Sequence, residues 1–158
     1  MHLFHGGCHC GNLEVDYSTN RAPEETVVRA CQCTFCRKHD ARAVSDPAGR
    51  MKITVHDEGL LERYQFGLGV TDYLICRKCG VYVSAFMHQG GEAYANVMVN
   101  VLDEREKFLA PEPLHLDGED AAGKWQRRRE NWTPASIHLA WCPECPNAIA
   151  RGPDNGRC

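Results

Sequence analysis

The chain has 158 residues, of which 43% are hydrophobic and 25% are charged, and its formal net charge is −3. This length suits one domain with a buried core and does not require a second. The acidic net charge argues against non-specific binding to nucleic acid, so any basic surface must be local.

The first residues, "MHLFHGGCHC", have no positively charged start, no apolar core and no small-residue cleavage site of the kind found in secretory signals. Nowhere does the sequence approach 18 consecutive apolar residues, so it predicts no membrane span. We therefore expect a cytoplasmic protein whose thiols stay reduced.

Before residue 100, most of the chain has the pattern of short strands. Apolar residues alternate in "NLEVDYS", "MKITV" and "VYVSA", and aromatic or β-branched residues are frequent in "LLERYQFG", "TDYLIC" and "YANVMVNV". These stretches predict a mainly β protein.

Helical patterns are fewer. "TFCRKHDARAV" and "DEREKFL" predict short helical turns, and "GEDAAGKWQRRRENW" predicts the longest helix, because acidic residues come first and arginines come last. Trp125 and Trp132 are seven residues apart, so they share a face that we expect to pack on the domain. We interpret the arginines at 127–129 as a solvated surface.

Ten cysteines are the most unusual feature of the composition. In a reducing compartment they are not expected to form disulfides, and most of them are only two or three residues from another cysteine. Such close pairs suit metal chelation, because a tight turn can direct both sulfurs at one ion about 2.3 Å away. Metal binding is therefore the leading interpretation.

Two of these pairs have matching chemistry, since a glycine directly follows the second cysteine in both "CHCG" and "CRKCG". Glycine allows the positive φ that turns the chain back towards the sulfurs. We predict one structural zinc with no open position, held by Cys8, Cys10, Cys76 and Cys79. His9 lies between two of these ligands, and we expect it to point outward.

The other group contains only three cysteines, Cys31, Cys33 and Cys36. Three protein ligands with a vacant fourth position are typical of a catalytic zinc. Two alternatives stay open: His39 could close the site as a structural Cys₃His zinc, or the group could be a thiol redox centre. A thiol substrate suits an open zinc, which lowers the pKa of a bound thiol.

Basic residues beside this group, Arg37, Lys38 and Arg42, could hold substrate carboxylates. We assign Arg37 and Lys38 to this binding role in the hypothesis below. Each of them alone is more often a solvated side chain.

Three segments, "GGCHCGNLEVDY", "CQCTFCRK" and "YLICRKCGVYV", occur in an order and at a spacing that strongly resemble the glutathione-dependent formaldehyde-activating enzyme family, which also contains centromere protein V. The resemblance covers roughly residues 2–117. It implies a β-tent fold of small antiparallel sheets around zinc sites. To this the residue patterns add short helices, a C-terminal helix and an irregular tail. It also implies two zincs per chain, with Cys8, Cys10, Cys76 and Cys79 at the structural site and Cys31, Cys33 and Cys36 at the catalytic one.

The same resemblance implies a carbon–sulfur lyase that condenses glutathione with formaldehyde to S-hydroxymethylglutathione. Family members usually continue after "CRK" with a glycine and an aromatic residue, whereas this chain reads "CRKHDARAVSD". We therefore expect a different pocket wall beside the reactive zinc. The partner is expected to be a small-molecule thiol, without a membrane, and a homo-oligomer is compatible with the sequence.

A non-catalytic zinc-stabilised module that binds protein or nucleic acid is the alternative function, motivated by the arginines at 127–129. For the domains we predict a zinc-binding β-tent domain at 1–117, a helix packed on it at 118–134 and a tail at 135–158. The tail carries Cys142, Cys145 and Cys158. One Cys-x-x-Cys pair cannot saturate a tetrahedral metal, so we favour exposed thiols over a metal half-site or a dimer-bridging zinc.

Overall fold

The computed structural model describes residues 1–116 and 118–140. The described part is mainly β, as predicted. Its strands are β1 His2–Gly7, β2 Leu13–Thr19, β3 Arg29–Cys31, β4 Ala43–Val44, β5 Arg50–Val55, β6 Leu61–Tyr64, β7 Asp72–Cys76, β8 Tyr82–Gln89, β9 Glu92–Met98, β10 Glu112–Leu114 and β11 Thr133–Leu139. Its α-helices are α1 Thr34–Lys38 and α2 Ala121–Asn131, and short 3₁₀ turns include the predicted one, at Arg105–Lys107.

One half of the sheet consists of β1, β2, β5 and β11 in that order. β2 pairs antiparallel with both β1 and β5. The predicted alternation is clear in β2, where Leu13, Val15, Tyr17 and Thr19 are all buried. These side chains form part of the core, because successive residues of a strand face opposite sides of the sheet.

The other half is a run of antiparallel pairs from β6 through β7 and β8 to β9. β9 also pairs with β4, which leads to β3 and β10 at the far edge. β8 is buried from Tyr82 to Met87 without alternation, so both of its faces are covered. The resemblance implied antiparallel sheets, and two pairings differ from this, since β3–β10 and β5–β11 are parallel.

β11 connects the two halves. Thr133 and Pro134 pair with β9, and residues 135–139 run parallel to β5. The segment predicted as a tail at 135–158 thus begins with residues of this strand, at 135–139. The alternation of Ala135, Ile137 and Leu139 is short and follows a proline, and it becomes a strand because β5 supplies a partner. The predicted thiols Cys142, Cys145 and Cys158 lie outside the described residues.

α2 lies against the domain through Trp125 and through Trp132, the C-cap residue that follows it. Its N-cap is Asp120, whose carboxylate accepts a hydrogen bond of 2.7 Å from the backbone N–H of Gly123. Trp132 is buried, and the ring of Trp125 lies edge-on to Tyr94 at 5.9 Å. The prediction of a solvated arginine run is wrong for Arg128, which is only 5% exposed because it shares the helix face of the tryptophans.

Within residues 1–116 and 118–140, no helix has both the length and the apolar composition that a membrane crossing requires.

Candidate metal centres and adjoining cavity

The first cysteine cluster brings together residues that are far apart in sequence. The sulfurs of Cys8, Cys10, Cys76 and Cys79 all lie within 4.8 Å of one another. Cys8 and Cys10 are on the loop between β1 and β2, while Cys76 ends β7 and Cys79 lies in the turn that leads to β8. The cluster therefore joins the two halves of the sheet.

Glycine makes both turns of this cluster possible. Gly11 has φ of 78° and Gly80 has φ of 75°, as the sequence predicted for glycines that follow the second cysteine of each pair. Backbone N–H groups then point at the sulfurs. The N–H of Leu13, for example, donates to the sulfur of Cys8 at 3.2 Å.

The thiols of the first cluster differ in their acidity. Burial raises the pKa of the Cys76 thiol to about 12. Burial also acts to raise the pKa of Cys79, but hydrogen bonds from the backbone N–H groups of Val81 and Cys10 outweigh it and lower that pKa to about 6. One sulfur of the cluster thus ionises readily and can begin to bind a metal.

The donor set of the first cluster fits a tetrahedral metal. The sulfurs of Cys8 and Cys10 are 3.7 Å apart, and those of Cys10 and Cys76 are 3.5 Å apart. Four sulfurs about 2.3 Å from one zinc would be separated by roughly 3.8 Å. These separations are too long for a disulfide, which needs about 2.0 Å. The cluster could therefore hold a metal ion.

The second cluster is built by a strand end and a short helix. Cys31 ends β3, Cys33 is the N-cap of α1 and Cys36 lies within that helix, and their sulfurs all lie within 4.8 Å of one another. The backbone N–H of Cys36 donates to the sulfur of Cys33 at 3.4 Å. No other histidine, cysteine, aspartate or glutamate among residues 1–116 and 118–140 joins this group.

A thiolate is already favoured at the second cluster. A hydrogen bond from the thiol of Cys36, which keeps its own proton, lowers the pKa of Cys31 to about 5 against the opposing effect of burial. The same interaction raises the pKa of Cys36. With one thiolate favoured beside two further sulfurs, this cluster could also hold a metal.

Neither of the two histidines close to the cysteines in sequence belongs to a cluster. His9 is exposed. His39 is also exposed, and its ring packs against Phe35 with 4.4 Å between ring centroids. The structure therefore does not bring His39 to the fourth position beside Cys31, Cys33 and Cys36.

A cavity of about 150 Å³ lies against the second cluster. Cys31 and Cys36 form part of its wall, and β3, β8, β9 and α2 contribute further residues. The lining residues that carry polar or charged side chains are Arg29, Ser45, Tyr73, Tyr82, Asn96, Arg127, Arg128 and Asn131. The cavity is thus mostly bounded by β-sheet on one side and by α2 on the other.

Both tyrosines of the cavity are neutral at physiological pH. Burial raises the pKa of Tyr73 to about 12 and raises that of Tyr82 well above its usual value. At Tyr73 the charge of Arg128 acts in the opposite direction, and the nearby cysteine sulfurs act in the same direction as burial on both tyrosines. Phenol hydroxyls that keep their proton can donate hydrogen bonds to a developing oxyanion.

Sequence reasoning did not identify the arginines of the cavity. Arg128 is three residues after Trp125 and four before Trp132, and this helical spacing was the available signal. Arg29 had no such signal. The predicted substrate-binding residues Arg37 and Lys38 are exposed and do not line the cavity, so their role stays a prediction.

Comparisons with known proteins agree with this architecture. The model of a family described as glutathione-dependent formaldehyde-activating enzyme matches residues 3–116. A crystal structure of a Rhodobacter sphaeroides protein, solved in a structural-genomics programme, is similar to this chain with a TM-score of 0.51 and 28% sequence identity. The similarity covers 68% of this chain and 97% of that one. Both cysteine clusters lie within the residues that the family model matches, whereas α2 and β11 follow them.

Proposed function

The chain belongs to the glutathione-dependent formaldehyde-activating enzyme family, and from that premise we propose that it is a zinc-dependent carbon–sulfur lyase that joins a thiol to a small aldehyde. The observation that carries this proposal is the cavity that directly adjoins a three-cysteine cluster. The four-cysteine cluster supplies a complete tetrahedral set of sulfur donors. We assign it a structural zinc, and we assign a catalytic zinc to Cys31, Cys33 and Cys36.

The donor chemistry supports this division. Three sulfurs leave one tetrahedral position for a ligand, and four do not. When bound at Cys31, Cys33 and Cys36, zinc supplies a Lewis acid at which a thiol ionises more easily and at which a carbonyl oxygen is polarised. No fourth protein ligand is needed for that role.

The chain's own residues enclose and orient the reactants. The walls of the cavity limit the water that reaches the reacting atoms, and Tyr73 and Tyr82 offer neutral hydroxyl donors near the cluster. In the proposed reaction the thiol sulfur attacks the aldehyde carbon. A carbon–sulfur bond forms, the carbonyl π bond breaks, and the oxygen takes up the proton that the thiol gives up. The reaction needs neither an oxidant nor a reductant.

Exchange spectroscopy tests this function. With the zinc-loaded chain present, we expect glutathione and formaldehyde to interconvert with their adduct faster than in buffer, measured by NMR line broadening at equilibrium. The Cys33→Ser variant is the control, and we expect it to reduce the acceleration at least tenfold. Equal exchange rates with and without the wild-type protein would exclude this substrate pair.

The alternative of a nucleic-acid-binding module gains no support from the arginine run. Arg128 is buried, and the guanidinium of Arg127 binds both oxygens of Glu119, at 2.6 and 2.8 Å. Only Arg129 of the three has an exposed side chain, and it lies 3.5 Å from Glu92. The three residues therefore do not form a free basic surface.

A further inference from the structure

Arg128 is an unusual member of the cavity wall. It is 5% exposed, and its Nε is buried without a hydrogen-bond partner. One of its terminal nitrogens donates to the hydroxyl of Thr71, and its guanidinium lies 4.2 Å from the centroid of the Trp132 ring. Among the described residues no carboxylate forms an ion pair with it. A buried cation without a counterion is costly, so a bound anion would stabilise it.

Arg29 adds a second cation to the same cavity. It lies half-buried on β3, two residues before Cys31, and has no ion-pair partner within the described ranges. Glu112 is its neighbour in the β3–β10 register, but that glutamate is exposed. Arg29 therefore also lies beside the second cluster without a close ion pair among the described residues.

The charges of the cavity do not cancel. Three arginines line it, and Glu119 offsets the charge of Arg127 through the two-point ion pair. A zinc with three thiolates would carry a net charge near −1 and would offset a second arginine. About one positive charge is then left for a ligand.

The size of the cavity limits that ligand. Its volume of about 150 Å³ is half the lower bound of roughly 300 Å³ for pockets that enclose drug-sized molecules. A tripeptide such as glutathione has several times the atoms of a short mercapto acid, so only its thiol end would enter. A thiol whose anionic group is a few bonds from its sulfur would fit within these walls.

We infer that the cavity selects a short anionic thiol, of the mercaptocarboxylate class, whose anion binds Arg29 and Arg128 while its sulfur lies at the second cluster. This inference rests on the proposed function and specifies its substrate. The selecting residues come partly from α2, which lies beyond the family match at 3–116. The chain would thus share its cysteine sites with the family and differ in the pocket wall.

Calorimetric titration of the zinc-loaded full chain tests the inference with two probes of equal length, 3-mercaptopropionate and the neutral 3-mercapto-1-propanol. We expect the anionic thiol to bind at least tenfold more tightly, because a hydrogen-bonded ion pair in a desolvated site typically contributes that much. We also expect glutathione to bind more weakly than 3-mercaptopropionate.

Three variants connect this preference to the arginines. Arg29→Gln and Arg128→Gln should each lower the affinity for 3-mercaptopropionate about tenfold and leave that for the neutral thiol unchanged. Arg129→Gln is the matched control, because it comes from the same helix but its side chain is 52% exposed, and it should change neither affinity. If Arg128→Gln does not fold, Arg29→Gln alone decides the outcome.

Equal affinities for the two probes would overturn the inference, as would a preference that persists in Arg29→Gln. Tighter binding of glutathione than of 3-mercaptopropionate would overturn the claim about size. The proposed function fails in a different way, when the wild-type chain accelerates adduct exchange of formaldehyde neither with glutathione nor with 3-mercaptopropionate. Selective binding of the anionic thiol without such catalysis would support the pocket and reject the lyase.

Discussion

Cys76 and Cys33 are chemically alike but have different surroundings. Cys76 is fully buried at the end of β7, in the cluster that joins the two halves of the sheet. Cys33 is half-buried at the N-terminus of the five-residue helix α1. A metal bound by the first cluster would therefore stabilise the fold as a whole. A metal bound by the second cluster would stabilise only a local turn.

This difference predicts unequal effects of the same substitution. We expect Cys76→Ser to lower the free energy of unfolding by more than about 5 kcal/mol, which is most of the stability of an ordinary domain. We expect Cys33→Ser to lower it by less than about 2 kcal/mol while zinc content falls. Urea denaturation followed by circular dichroism measures both values, and equal losses would contradict the division of roles.

The cysteine sites were predictable from the sequence, whereas the arginines of the cavity were not. Each cysteine pair is local, and a glycine after a second cysteine directly indicates its turn. Arg29 and Arg128 are about one hundred positions apart in the chain. They line the same cavity only because β3 and α2 pack around it. The sequence analysis predicted a solvated Arg128 because its neighbours in sequence, Arg127 and Arg129, are charged. Arg128 is buried instead, because its helix face carries two tryptophans.

Among the elements, β11 has the largest effect on the arrangement of the sheet. Thr133 is fully buried where β11 leaves β9, and its hydroxyl accepts a 2.8 Å hydrogen bond from the backbone N–H of Asp46. The carboxylate of Asp46 in turn accepts a bond from the hydroxyl of Thr19 on β2. These bonds fix β11 between the two halves of the sheet.

We expect Thr133→Val to destabilise the chain by about 1–3 kcal/mol, because the isosteric side chain leaves the buried N–H of Asp46 without an acceptor. Ser136→Ala on the exposed face of the same strand is the control, with an expected change within about 0.5 kcal/mol. Thermal unfolding of the two variants gives the comparison. If Thr133→Val loses no more stability than Ser136→Ala, the hydrogen bond between Thr133 and Asp46 does not stabilise the fold.

The alternation in β2 was recognised as a strand, whereas β11 was not predicted as one. β2 has four buried residues in alternation, and its pattern was clear without a partner. β11 contains a proline and only three alternating apolar residues, so its strand depends on pairing with β5. The helix α2, which precedes β11 in the chain, was predicted from the sequence. Acidic residues at its start and arginines at its end are favoured by the helix dipole.

For the molecule as a whole, the family and the mainly β fold followed from the sequence, and the pocket did not. The family match at 3–116 includes both cysteine clusters, but residues of α2 form one side of the cavity and β11 joins the halves of the sheet. A cavity is a property of tertiary packing and has no local sequence pattern. The segment after residue 116 therefore decides the shape of the site that the family's cysteines supply.

Stepwise removal of metal, followed by native mass spectrometry and near-ultraviolet circular dichroism on the same samples, tests the central claim most directly. We expect two zinc ions per chain. Mild chelation should remove one of them with the tertiary signal intact and the adduct exchange lost, and the second should leave only as the protein unfolds. A maximum of one zinc per chain, or the loss of both ions in one step together with the fold, would contradict an open reactive site beside a closed structural one.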